Sequence, residues 1–403
     1  MRKGSASAGP FLLSQVRVTG VPGARLRPHL GTLDPVPPTV VLAPDSFKGS
    51  LDAAGVAAAL AEGWRRARPD DELIVLPQAD GGEGTLDAIA AAVPGAVLRD
   101  AGDVTGPDGR PTPGRWLALP GGTAVVELAQ PSGLPLMPEL DPLGATTRGL
   151  GEVIAAALDD GATALVIGLG GSASTDGGAG ALRALGIDLR DAAGAALADG
   201  GGALARLHSL DRSRLRPPPP DGVRLLSDVT APLLGPLGAA AVFGPQKGAT
   251  PAQVAELDDA LATFAGALGG DPATPGTGAA GGTGYGFVVA WGAHVELGSA
   301  AIGELTGLTA AIARADVVVT GEGRYDLTSA TGKVVGFALE RLDQTAAVGV
   351  VVAGQLAAEP STPSGRTVAG LSLTELAGSV EAAIADPTRW LREAGERAAR
   401  DIR

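Results

Sequence analysis

Apolar residues in this chain collect into short β-branched runs, each followed by a glycine-rich polar loop and then by a segment of helical period. Val40-Val-Leu42 predicts a first strand. Leu51–Ala67 carries its apolar residues on one helical face, with Ser50 as the expected N-cap and Asp52 in the first turn. Leu73–Leu76 predicts a second strand and Leu86 begins a second helix. Strand and helix alternating over short connections predict a parallel sheet covered by helices.

From Val97 to Leu128 the pattern changes to short strands, Trp116–Leu119 and Thr123–Leu128, with turn signals at Gly106-Pro107, Asp108-Gly109 and Gly121-Gly122. That change marks a second domain. A helix over Thr147–Leu158, a strand at Leu165-Val-Ile167, a helix start at Ala181–Leu185, a strand at Val223–Leu226 and a helix from Pro251 follow. Gly276–Gly286 reads as a further glycine loop. Asp316–Thr320 predicts a buried strand, Gly321–Asp326 a loop, Lys333–Leu342 a helix and Val348–Val352 another strand, before a charged amphipathic helix at Thr388–Arg403. The return of β-α-β predicts one domain from residues 38–80 and 305–403, with 81–304 inserted. Residues 1–37, rich in Arg and Pro and without a period, are expected to be a disordered extension or the product of a start codon placed too early.

Composition narrows the chemistry. Glycine supplies 62 of 403 residues, roughly twice ordinary usage and without a Gly-X-Y period, so the glycines belong to loops. There is no cysteine, which removes disulfides, thiolate nucleophiles and cysteine zinc sites. The three histidines are scattered, which disfavours a Ser-His-Asp triad. No apolar run is long enough to span a membrane, and a net charge of −13 argues against nucleic acid and anionic membranes as partners. A soluble, cytoplasmic protein, monomeric or homodimeric, is expected. Asparagine is absent, and only four of the 31 basic residues are lysine. Three of those four, Lys48, Lys247 and Lys333, lie beside or near glycine, where a compact ammonium suits an anion.

Six strand-following loops carry acid or lysine beside glycine: Asp45/Lys48, Asp80/Glu83, Asp176, Asp228, Lys247 and Glu322/Arg324/Asp326/Lys333. One such loop is ordinary punctuation; six on an α/β scaffold are hard to explain by turns. Carboxylates supply hard oxygen ligands for Mg²⁺ and a base for a hydroxyl. Lysine and arginine clamp a transferring phosphoryl group. The set is equipped for phosphoryl transfer from a nucleotide to a small hydroxylated acid. No Walker A motif is present. Gly168-x-Gly170-x-x-Ala173, with Asp188 and Asp191 about 20 residues on, also fits a dinucleotide fingerprint. Against that reading, Asp176-Gly-Gly178 stands where the fingerprint helix should already have begun.

At these loops the chain resembles the bacterial glycerate kinases of type I, from Val40 to about Gln355. The resemblance rests on Ala43-Pro-Asp-Ser-Phe-Lys-Gly-Ser-Leu51, Ala79-Asp-Gly-Gly-Glu-Gly-Thr85, Gly170-Gly-Ser-Ala173 with Asp176-Gly-Gly-Ala-Gly180, and Asp228-Val-Thr230. Phe243-Gly-Pro-Gln-Lys-Gly-Ala249, Gly278-Ala-Ala-Gly-Gly282 and Thr320-Gly-Glu-Gly-Arg324 with Asp326, Ser329, Gly332 and Lys333 extend it. It implies ATP-dependent, Mg²⁺-requiring phosphorylation of D-glycerate, usually to 2-phosphoglycerate. It also implies two α/β domains, one a flavodoxin-like parallel sheet built from both chain ends, the other an inserted mixed sheet, with the site in the cleft between them. Thr175 and Ala231 depart from it, the family usually having Asn at both.

Under this resemblance Asp176 is the first choice for general base, with Asp80 or Asp228 holding Mg²⁺ or exchanging roles with it. Lys48 and Arg324, with Ser46 and Asp326, are expected on the glycerate. Lys247 and Lys333 are expected on the β- and γ-phosphates, with Gly170, Gly171, Ser172 and Ser329 also on the nucleotide. The competing expectations are a dinucleotide-dependent oxidoreductase and a non-catalytic nucleotide-binding protein.

Overall fold

A computed structural model describes residues 37–329 and 333–402, so the expectation for the N-terminal extension lies outside the described residues apart from Pro37. In chain order the strands are β1 (Thr39–Pro44), β2 (Glu72–Val75), β3 (Val97–Thr105), β4 (Pro111–Ala118), β5 (Thr123–Glu127), β6 (Ala164–Gly168) and β7 (Asp188–Arg190). They continue with β8 (Ser209–Asp211), β9 (Val223–Leu226), β10 (His294–Glu296), β11 (Val317–Tyr325), β12 (Val348–Leu356) and β13 (Ala369–Ser372).

One sheet has the order β13-β12-β11-β1-β2 and is parallel throughout. Counted within that sheet the order is the flavodoxin-like 2-1-3-4-5, whose ligand crevice opens beyond the carboxyl ends of its first and third strands. Here those strands are β1 and β11. The other large sheet runs β10-β9-β6-β5-β4-β3, with β10, β9, β6 and β5 parallel and β4 and β3 antiparallel at one edge. The fold is therefore mixed α/β: one parallel sheet from the two ends of the chain, one mixed sheet from its middle. Among the described residues no helix is long and apolar enough to cross a membrane.

The central strands are continuous buried runs, as strands covered on both faces must be. Val40, Leu42, Val317, Val319, Val350 and Val352 face one layer, which contains the helices Ala53–Ala67 and Pro387–Asp401. Val41, Val318 and Val351 face the other, with the helix Val334–Leu342. Glycine sets the spacing where aromatics are scarce. A Cβ on Gly63 would collide with the Arg392 carbonyl, and one on Gly395 with the Leu60 carbonyl, so the first and last helices touch backbone to backbone.

Three elements differ from the sequence reading. The first helix is capped by Asp52, whose Oδ1 accepts the Gly55 N–H at 2.6 Å. Leu51 is held back by an antiparallel bridge to Phe47, so Ser50 lies in the preceding turn. Gly321–Tyr325 stays in the sheet because pairing with β12 continues to Tyr325↔Leu356. The expected glycine loop at 276–286 mostly folds into Ala279–Trp291, broken where Ala280, Gly281 and Gly282 turn left-handed at φ 53, 63 and 87.

The helix contact predicts a contrast. Gly63→Ala should lower stability to urea by about 1–3 kcal/mol, because the added methyl has no room. Gly266→Ala, where a Cβ meets nothing within 4 Å in the helix Pro251–Leu268, should be neutral or stabilising by about 0.5–1 kcal/mol. Equal effects would refute the close-contact account.

Candidate active site

The loops that leave the carboxyl ends of both parallel strand sets face one crevice. From the first sheet come Asp45, Ser46 and Lys48 after β1, Asp80 after β2, and Glu322 and Arg324 on the extension of β11. Because β11 continues as a strand, Glu322 and Arg324 are two apart and share a face. From the second sheet come Gly170, Gly171 and Ser172 after β6, and Ser227 and Asp228 after β9.

Two cavities result. The first, about 420 Å³, is lined by Asp45, Ser46, Lys48, Asp80, Glu322, Arg324 and Lys333, and continues over Gly354 and Gln355 to Leu373–Pro387. The second, about 440 Å³, is lined by Asp80, Gly82, Glu83, Gly170, Ser172, Asp228 and Lys247. Lys48 and Asp80 border both.

Backbone clearance holds Asp80 at this junction. Gly170 N–H donates to the Gly81 carbonyl at 3.0 Å. A Cβ on Gly170 would stand 2.5 Å from the Gly82 Cα, and one on Gly298 would overlap the Asp80 carbonyl oxygen. Gly81 itself has φ 94, a conformation costly for any side chain. Glu127, at the end of β5, completes the anchoring: its carboxylate accepts from Gly84 N at 3.2 Å and Leu86 N at 3.1 Å, capping the helix Thr85–Ala92.

The acids crowd one another. Asp45 is pushed up to about 7, by burial first and then by the Asp80 carboxylate. Asp228 is also pushed to about 7 by burial and by Asp80, while its Oδ1 accepts Gly298 N–H at 2.8 Å. Burial raises Glu322, and Asp80 adds to it. Oδ2 of Asp228 and Oε1 of Glu322 are buried without a hydrogen-bond partner. Lys333 opposes this charge near Asp228 and Glu322, and Lys48 opposes it near Asp45.

Lys247 is 2% exposed. Its Nζ donates to Ser172 Oγ at 2.9 Å and to the Ser174 carbonyl, and burial lowers its pKa to about 7.

Three expected site residues are placed elsewhere. Asp176 is fully buried and lines neither cavity. It accepts from Thr147 N at 2.9 Å, Thr147 Oγ1 at 2.8 Å, and Gly178 N and Gly180 N at 3.1 Å. The Gly178 and Gly180 N–H groups are thus taken by the chain's own carboxylate, and in this structure Asp176 anchors its loop rather than facing either cavity, where the sequence reading expects a base. Ser329 is buried and lines neither cavity, donating to the Arg324 carbonyl and accepting Asp326 N–H at 3.0 Å, which closes the turn after β11. Asp326 lines neither cavity, accepting from Thr328 N and Oγ1 and pairing with Arg324 at 3.7 Å. Asp80, Asp228, Lys48, Arg324, Ser46, Lys333, Lys247, Gly170, Gly171 and Ser172 all border the crevice.

The sequence reading placed Asp45 and Glu322 in the acid-bearing loops without an individual role and did not single out Glu127. An acid directly after an apolar strand run was the available signal for all three. Gly168-x-Gly170 does not open a fingerprint helix either, since the next helix starts only at Ala179.

A family model described as the glycerate kinase family matches residues 40–403. The Escherichia coli K12 protein named glycerate 2-kinase is 46% identical over 304 residues, 73% of this chain and 79% of that one. The Bacillus subtilis 168 glycerate kinase is 44% identical over 308 residues, with the same coverages of 73% and 79%. A solved Salmonella typhimurium LT2 structure named as glycerate kinase 2 superposes with a TM-score of 0.76 at 36% identity, covering 91% of this chain and 98% of that one.

The burial of Glu127 predicts a pH dependence of stability. Burial pushes Glu127 up to about 7 from an ordinary 4.5. Between those values the folded chain holds a proton that the unfolded chain has lost, so this contribution is present at low pH and is lost as pH rises towards 7. Glu127→Gln removes that dependence. Urea midpoints compared at about pH 5 and about pH 8 should therefore shift in the variant's favour at the higher pH. A pH-independent difference would refute it.

Proposed function

The chain belongs to the glycerate kinase family, and from that premise we propose that it is of type I and transfers the γ-phosphate of ATP to the 2-hydroxyl of D-glycerate, giving 2-phosphoglycerate. The observation that carries this reading is that Asp80 and Lys48 border two adjoining cavities at once. One junction flanked by two sites is what a transfer between two bound molecules needs, because holding both reactants together removes most of the entropic barrier. The name of the Escherichia coli relative specifies the 2-kinase and supports the choice of hydroxyl. The domain division proposed is residues 38–80 with 305–403, and 81–304.

Mg²⁺ fits the residues present. Asp80 lies beside Asp45, Asp228 and Glu322, so negative charge at this point is in excess, and two buried carboxylate oxygens have no partner. Among the described residues no three acids are arranged to cage a metal alone. That suits an ion which keeps its waters and takes one or two carboxylates together with phosphates. Asp80 would hold it, and when bound it would neutralise charge on the phosphates.

Asp228 borders the second cavity with an unpartnered Oδ2 and is proposed to take the proton of the attacking hydroxyl. Lys48, exposed at the junction, is proposed to follow the phosphoryl group between its donor and acceptor.

Incubation with ATP, Mg²⁺ and D-glycerate should release ADP and give 2-phosphoglycerate by ³¹P NMR; 3-phosphoglycerate would overturn the choice of hydroxyl, and ATP turnover independent of glycerate would overturn the reading itself. Asp228→Asn should lower kcat about a hundredfold or more, whereas Asp80→Asn should chiefly raise the Mg²⁺ concentration needed for half-maximal rate. Wild-type turnover in Asp228→Asn would remove it from the role of base.

A further inference from the structure

We propose that Lys247 is a positioning residue of the crevice: it fixes the Ser172 hydroxyl as a hydrogen-bond donor into the second cavity, and that hydroxyl, not the ammonium, meets an anionic oxygen of a substrate. This rests on the kinase reading and adds to it how one wall of the crevice binds.

Two tied segments bring the pair together. Ser172 is bridged through its backbone to Gly133, and Ala173 N–H donates to the Ser132 carbonyl at 3.0 Å. Lys247 ends the short turn Pro245–Lys247, which is closed on the Gly244 carbonyl by Lys247 N–H at 2.9 Å and Ala249 N–H at 3.0 Å. Gly281 packs against the Ser174 carbonyl, where a Cβ would overlap the oxygen. The Lys247 side chain reaches the same loop and gives one hydrogen to the Ser174 carbonyl and another to Ser172 Oγ, the latter at 2.9 Å.

The direction of that second bond determines the chemistry. An ammonium has no lone pair, so Ser172 Oγ accepts from it and must send its own hydrogen elsewhere. Among the described residues no acceptor takes that hydrogen, and Ser172 borders the second cavity. At 8% exposure against 2% for Lys247, the serine is the more open of the two. Accepting a bond from a cation also strengthens a hydroxyl as a donor.

A simple tie between loops does not explain a lysine here. Lys247 forms no ion pair among the described residues, and Asp176 favours its charge without a direct bond. Burying an ammonium in this way is costly, and an apolar side chain of similar length would fill the space without that cost. An anionic oxygen on Ser172 would offset it.

A carboxylate or a phosphate oxygen fits equally, and the experiment tells them apart. ADP and D-glycerate are titrated separately by calorimetry at about pH 6 into wild type, Ser172→Ala, Lys247→Met and the double variant. Ser172→Ala should weaken one ligand by about tenfold; loss of ADP identifies a phosphate, loss of glycerate the carboxylate. Lys247→Met should weaken the same ligand severalfold in wild type but by less than about twofold in Ser172→Ala, because it acts through the serine. An equal loss in both backgrounds means that Lys247 meets the ligand itself, and it overturns the proposal. Unchanged binding of both ligands in Ser172→Ala does the same.

Should Lys247→Met fail to fold, the cost of Ser172→Ala at two pH values decides. Burial lowers Lys247 to about 7, and above that the neutral amine has a lone pair that can take the serine hydrogen. The cost should fall from about tenfold near pH 6 to under about threefold near pH 9. The other charged groups around the pair, Asp176 in its loop and Lys48, Asp80, Glu83 and Asp228 around the cavity, are common to both proteins and cancel in the ratio. A pH-independent cost overturns the proposal. Turnover is scored apart: wild type that binds as expected but never phosphorylates glycerate overturns the kinase reading and leaves the relay standing, and wild type that binds neither ligand overturns both.

Discussion

The active crevice depends on a backbone contact with no room for side chains. The chain leaving β2 crosses to the second sheet through Asp80-Gly81-Gly82, and at that crossing its atoms meet Gly168, Gly170 and Gly298. A Cβ on Gly168 would lie 2.5 Å from the Gly81 carbonyl, inside any tolerable contact. Removing side chains from one strand of this seam alone would not suffice, because each partner approaches through its own backbone. The high glycine content is therefore largely a clearance requirement. It allows a carboxylate rooted in the first sheet to stand against loops rooted in the second.

That geometry has an electrostatic consequence. Once Asp80 is fixed at the seam, Asp45, Glu322 and Asp228 lie close enough for its charge to raise their pKa values. Neighbouring carboxylates in partly buried surroundings destabilise the empty protein, since desolvation and repulsion act in the same direction. Lys48 and Lys333 offset some of this, but Lys48 remains exposed and two acid oxygens stay unpartnered. The crevice thus carries an imbalance that a cation with a polyphosphate would relieve. Such an arrangement exchanges stability for binding, a common compromise at functional sites.

Most of the strands and helices were legible in the sequence because they are long, continuous and of clear period, as in Val40-Val-Leu42 and Val348–Val352. The errors cluster where tertiary contact overrides local composition. Gly321-Glu-Gly-Arg looks like a loop, yet β12 offers it partners as far as Leu356, so it remains strand and sets Glu322 and Arg324 on one face. Asp176 looks like a ligand-facing acid in a phosphate loop. Only the packing of Thr147 onto that loop shows that the carboxylate turns inward. Lys247 was recognisable as an unusual lysine, but its burial against Ser172 was not, because nothing local predicts the approach of two loops 75 residues apart.

The missing asparagines can be judged by position. Thr175 and Ala231 replace residues that the resembled kinases usually keep as Asn, a change that would matter most if either side chain faced a substrate. Neither lines either cavity. Thr175 is fully buried behind the loop, its hydroxyl unpartnered, and a Cβ on the opposing Gly281 would stand 2.6 Å from its Cα. Ala231 acts through its backbone, its carbonyl accepting Gly278 N–H at 2.9 Å. Both changes therefore fall on the framework that presses the Gly278–Gly282 segment against the Ser172–Asp176 loop. The groups that border the crevice, Asp80, Asp228, Lys48, Lys247 and Arg324, are all present. The Thr175 and Ala231 changes therefore lie behind the site and leave the residues that border the crevice as they are.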